Sequence, residues 1–161
     1  MIYFKTHTIT KYTPAEIESG VRRYSLKRHI RLDFHSSVSY IQGDKYFYGI
    51  ETTKDVQITR IKTPFERFLP KLIFSFSKKE EFMIYRVRYD YSSMIVFFLL
   101  FFSALFNLVD AFTTESLGTA TIVIPGLFVI FLALSFLESE ITQIRILKAI
   151  SNSKKEKLTL I

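Results

Sequence analysis

The sequence predicts an α+β membrane protein: an N-terminal strand and helix, an antiparallel meander on the cytoplasmic side, and then a two-helix transmembrane hairpin. Three observations predict it. Two apolar runs of 19 residues each flank a short polar break, a period-two pattern precedes them, and a helix-start signature lies near the N-terminus. The expected regions are 1–91, 92–137 and 138–161.

Alternation and β-forming residues over 3–10 (YFKTHTIT) predict a first strand. A helix is expected from Pro14 to about Lys27. Thr13 can cap it, Pro14 takes the first helical position, Glu16 completes a capping box, and Tyr12 and Ile17 form a hydrophobic staple. Ile17, Val21, Tyr24 and Arg28 follow one face of that helix. The stretch 29–41 reads equally as strand or frayed helix end, because Ile30, Leu32 and Phe34 alternate.

From Lys45 the period becomes two. Tyr46, Tyr48 and Ile50 are expected on one face of a strand, and Val56 and Ile58 on one face of the next. Leu72, Phe74 and Phe76 follow, then a charged turn at 78–81, then Met83, Tyr85, Val87 and Tyr89. About four antiparallel strands with one packed helix, apolar on one face and polar on the other, satisfy the pattern.

The spans are expected at about 94–112 and 119–137, joined by an outer loop at 113–118. At 1.5 Å per residue each is about 28 Å long, close to the hydrocarbon thickness of a bilayer. Residues 1–93 carry 9 Lys and 8 Arg, and five more cations follow the second span, whereas the break between the spans has none. Positive charge stays on the cytoplasmic side, which predicts cytoplasmic termini and a bacterial inner-membrane location. The N-terminal residues do not read as a secretory signal, so the first apolar run is expected to target the chain. Beyond the second span, 138–150 continues at helical spacing with Ile141, Ile144, Leu147 or Lys148, and Ile150 near one stripe. A helical extension resting on the sheet or on the membrane surface is expected.

The strands Tyr46-Phe47-Tyr48-Gly49 and Val56-Gln57-Ile58-Thr59-Arg60, followed by Phe65-Glu66-Arg67-Phe68-Leu69-Pro70, carry a resemblance. They resemble a group of small uncharacterised bacterial membrane proteins, in which an F-x-G strand, an F-x-I-x-R strand and a Y-x-N-S-F-x-P turn precede a hydrophobic hairpin. The similarity covers about 45–137. It departs at Glu66 and Arg67, where that turn has Asn and Ser, and in lacking a Gly after the Pro strand. The resemblance implies an architecture and no chemistry.

No Cys is present, which excludes disulfides, thiolate metal sites and cysteine nucleophiles. His7, His29 and His35 show no metal-ligand spacing, and no phosphate-cradling glycine motif or nucleophile elbow occurs. Ser36-Ser37 and Ser92-Ser93 have no identifiable base. No catalytic residue, metal or cofactor is therefore expected. The basic run 21–29 suits nucleic acid less well than an anionic lipid surface, which already explains a net charge of +7. No nucleic acid or small-molecule substrate is expected as partner.

The candidate residues are contacts. Arg86, Arg88, Tyr89 and Tyr91, together with Tyr85, are expected at the lipid headgroups. Ser103, Asn107 and Asp110 fall at i, i+4 and i+7 on one side of the first span, with Asn107 expected to bond to the second helix. Pro125 is expected to kink the second span, and Gly126 and Ala133 to admit a neighbouring helix. The expected partners are the bilayer and another membrane protein or a second copy. The expected function is a non-enzymatic accessory subunit. An immunity or regulatory protein against a membrane-active toxin, and a homo-oligomeric ion conductor, are the alternatives.

Overall fold

A computed structural model describes residues 3–28, 30–34, 36–37, 44–114 and 119–159. His29, His35 and most of the expected outer loop lie outside these residues.

The strands are β1 (Lys5–Thr8), β2 (Ser25–Lys27), β3 (Phe47–Glu51), β4 (Asp55–Arg60), β5 (Leu72–Ser77) and β6 (Ile84–Tyr89). The helices are α1 (Pro14–Arg23), α2 (Tyr91–Thr114) and α3 (Thr119–Thr159). Single 3-10 turns occur at Leu32–Phe34 and Pro64–Phe68. The six strands form one sheet in the order β1-β6-β5-β4-β3-β2. The predicted meander is its centre, β3 to β6, paired antiparallel. The expected first strand, β1, adds antiparallel to β6, and an unexpected short strand, β2, adds parallel to β3, so the sheet is mixed and two strands wider than the meander.

Helix α1 begins as the sequence predicts, with the Thr13–Glu16 capping box formed. It ends at Arg23, four residues short of the expectation. The Tyr24 N–H still bonds the Gly20 carbonyl, Ser25 Oγ donates to the Val21 carbonyl, and the chain then extends to pair Leu26 with Tyr48. The parallel partner at 47–49 outcompetes one more helical turn.

The sheet has two apolar faces rather than one. Ile58, Phe74, Phe76, Tyr85 and Val87 meet Ile17 and Val21 of α1 and Ile146, Ala149 and Ile150 of α3. On the opposite face a smaller cluster joins Tyr48, Ile61 and Ile73 to Leu32 of the first 3-10 turn. Tyr48 and Ile50 therefore pack away from the helices, while Phe47 faces them. The turn between β5 and β6 closes through Glu81 and Phe82 at φ of 49° and 64°, which tucks the Phe82 ring under the core.

Two of the helices are long and apolar enough to cross a membrane. Of the most apolar 18 residues in each, only 6% and 11% are buried, which separates them from the core helices of a soluble protein. They pack against each other as a hairpin. α3 passes through Pro125 and continues without interruption to Thr159. It thus serves as both the second apolar arm and the backing of the sheet. Of the expected stripe, Ile150 is buried in the core, while Ile141 and Leu147 are only half-buried. Ser135, Ser139, Thr142, Ile146, Ala149 and Ser153 are buried, while Ile144 is 63% exposed. Their alternating spacing of four and three is a packing seam made mostly of small residues, with Ile146 the exception. Small side chains let α3 lie close to α1: a Cβ on Gly20 would stand 2.7 Å from Ile150 Cα.

Candidate functional site at the sheet–hairpin junction

One end of the sheet meets the hairpin, and charged side chains are buried there on both faces. On the helix-facing side, Arg60 at the end of β4 is fully buried. Its Nε and Nη2 donate to the two carboxylate oxygens of Glu138 at 3.1 and 2.6 Å, and its Nη1 donates to Glu66 at 2.6 Å. Glu138 is the first residue after the expected second span, so this bidentate pair ties the arm of α3 to the sheet. Lys62 lies 3.7 Å from the same carboxylate, and its Nζ donates to the Leu69 and Pro70 carbonyls at 2.7 and 2.9 Å.

These groups titrate accordingly. Burial pulls Lys62 down to about 8, with the neighbouring Arg60 charge acting the same way and Glu138 opposing. Burial works against the Arg60 charge, but hydrogen bonds and attraction from Glu138 and Glu66 raise it above its ordinary value. Burial likewise opposes ionisation of Glu66. The Thr63 backbone N–H and Arg60 outweigh it and hold the carboxyl at about 2.

On the other face, Arg88 holds the first 3-10 turn. Its Nη1 and Nη2 donate to Asp33 at 2.7 and 2.9 Å. Burial opposes the Asp33 charge, yet Arg88 lowers its pKa. Lys71 Nζ donates to the Leu32 carbonyl and lies 3.9 Å from Asp90. Asp90 starts α2: its carboxylate accepts from the Ser93 N–H at 2.9 Å and from Ser92 Oγ at 2.7 Å, while the Lys71 N–H donates to Ser93 Oγ at 2.9 Å. These are N-cap interactions. Between them lies a polar recess of about 320 Å³ lined by Arg67, Lys71, Ser37 and Ser93. An apolar cavity of about 440 Å³ opens between the arms beside Phe4, Tyr89, Phe97 and Leu132.

The expected contact residues are placed as follows. Arg86 is exposed and pairs with Glu80 at 3.2 Å. Arg88 is buried in its pair with Asp33, so its guanidinium is committed inside the fold and is not presented to a headgroup. Tyr85 is buried in the core. Tyr89 is half-buried, with its ring 4.8 Å from Phe4 and 5.7 Å from Phe97. Tyr91 is exposed, with its ring 5.9 Å from Phe34. In the hairpin, Asn107 Nδ2 donates to the Ser103 carbonyl at 2.8 Å, within its own helix rather than across to α3 as expected. Ser103 and Asp110 are exposed, Ala133 is exposed, and no atom comes within 4 Å of a Cβ built on Gly126. Ala104 and Ser135 are instead buried.

The sequence reading missed Arg60, Lys62, Glu66, Glu138 and Asp33. One signal was available: Thr63-Pro64-Phe65-Glu66 repeats the helix-start pattern of Thr13-Pro14-Ala15-Glu16, and its capping box is formed. Among the described residues no group of three or more His, Asp or Glu side chains could hold a metal ion. No known protein family, curated protein or solved structure matches the chain.

Proposed function

We propose that this chain is a small non-enzymatic protein of the bacterial inner membrane, with cytoplasmic termini, acting as an accessory subunit that engages another membrane protein or a second copy of itself. The observation that carries this reading is a set of polar and small positions left open on the hairpin. Ser103 is exposed and nothing stands within 4 Å of a Cβ built on Gly126, although polar and small residues are the groups that helices in lipid use to bind one another. The lack of positive charge between the arms supports the orientation. The junction supports a platform role, since the buried Arg60–Glu138 pair fixes the sheet to α3.

The absence of Cys makes single-cysteine chemistry clean. Ser103→Cys and Gly126→Cys should give cross-linked products in native membranes, and Ile144→Cys should not. A solitary monomer by native mass measurement after gentle extraction, with no cross-link at either position, overturns the reading.

A further inference from the structure

The 3-10 turn Pro64–Phe68 presents two phenylalanine rings almost entirely to solvent: Phe65 is 94% exposed and Phe68 is 86% exposed. Single exposed apolar residues are common, but two full aromatic rings on one short turn are not. This turn is also held firmly. The Thr63–Glu66 capping box closes it, Arg60 grips Glu66, Arg145 of α3 lies 3.8 Å from Glu66, and Lys62 takes the carbonyls of Leu69 and Pro70. Two buried cations and a half-buried carboxylate thus fix a backbone whose tip points two rings outward.

Its height relative to the hairpin is set by the chain. Lys71 is bonded through its N–H to Ser93 in the first turn of α2, and Phe68 is only three residues away. Three extended residues reach at most about 11 Å. Phe34, 72% exposed, and Tyr91, 40% exposed, stand at the same end of the sheet with their rings in contact. The exposed aromatics therefore collect where the hairpin enters its apolar length. Arg67, between the two phenylalanines, lines the polar recess with Lys71.

We infer that the turn Pro64–Phe68 is a membrane-inserting foot: Phe65 and Phe68 bury in the headgroup layer of the same bilayer that holds the hairpin, with Arg67 set toward lipid phosphate. Aromatic rings favour that layer because it takes their apolar body while leaving polar neighbours wet. The sheet then rests on the membrane at a second point, beside the helices. This inference rests on the reading of the hairpin as lipid-embedded.

The chain has no Trp, so each introduced Trp is a sole reporter. Full-length Phe65→Trp and Phe68→Trp proteins are reconstituted in vesicles of zwitterionic and anionic phosphatidyl lipids, with brominated lipids as depth quenchers. Phe106→Trp in α2 reports on the hairpin, and Lys79→Trp at the far end of the sheet reports on bulk water. The foot reporters should be blue-shifted and quenched at a depth of about 5–10 Å, that of interfacial side chains. Lys79→Trp should stay unquenched, and Arg67→Glu should reduce quenching of the foot in anionic vesicles. Quenched Phe106→Trp with unquenched foot reporters overturns this inference alone and leaves the rings to a protein partner. Unquenched Phe106→Trp overturns the lipid-embedded hairpin itself.

Discussion

Glu138 makes two charge-assisted bonds to a guanidinium that is itself out of water, so removing the carboxylate strands a buried cation. Glu138→Ala should cost about 3–5 kcal/mol, the usual penalty for breaking a buried pair from one side. The double variant Arg60→Met/Glu138→Leu should recover part of that loss. Thermal unfolding of both in detergent checks the sign of the difference. Glu66 and Lys62 are two of the titrating groups that shape the pH profile. Glu66, held at about 2 against an ordinary 4.5, contributes stability that is present above about pH 4.5 and lost as pH falls through 2. Lys62 works the other way: the unfolded chain keeps that proton to about pH 10.4, while the folded chain releases it near 8. Between these values the unfolded state binds more protons, so this residue makes stability rise with pH. Glu66→Gln should flatten the acid limb of the melting-temperature profile, and Lys62→Met should remove the alkaline rise; unchanged slopes would refute the assignments.

At the scale of elements, α3 offers the sharpest test, because its buried stripe is not its most hydrophobic one. Ile146→Ala should cost about 2–5 kcal/mol, whereas Ile144→Ala should stay within about 0.5 kcal/mol. Thr142 is fully buried and its hydroxyl has no hydrogen-bond partner, so Thr142→Val should stabilise by about 1 kcal/mol. Gly20→Ala should destabilise by about 1–3 kcal/mol, since the added methyl meets the Ile150 backbone. Chemical denaturation of the four variants separates these expectations. The same elements show what the sequence could tell. Thr13, Pro14 and Glu16 fixed the start of α1 because a cap is a local interaction, and the meander was readable because alternation is local too. The end of α1 was not, since it depends on β2 pairing with residues 47–49 more than 20 positions ahead. Serine, threonine and alanine give no periodic signal, so the seam of α3 passed unseen beneath Ile141 and Ile144. Arg88 reads as an exposed cation until Asp33, 55 residues away, closes on it.

For the whole molecule, sheet and hairpin share one helix, and the core of the sheet includes Ile146, Ala149 and Ile150 from beyond the apolar arm. A chain ending at Leu137 should therefore keep its two apolar arms yet fail to protect its sheet. Limited proteolysis of the truncated and full chains in detergent should show rapid loss of residues 3–90 only in the former. Equal resistance would mean that the sheet folds without α3. Helical spacing alone places Ser103 and Asn107 one turn apart on α2, where they bond to each other. Which of the candidate contact residues meet their own chain was not legible in the sequence, since that depends on how α2 and α3 turn toward each other.

The unbroken course of α3 has a mechanical consequence. At 1.5 Å per residue its 41 residues make a rod about 61 Å long, of which about 33 Å extends past Leu137. A bilayer that thins makes a long apolar arm lean. A lean of about 10° about Leu137 swings the far end of that 33 Å extension sideways by about 6 Å, and the strands clamped to it travel along. Phenylalanines planted beside the pivot would act as an outrigger, converting bilayer thickness into a set angle of the sheet above it.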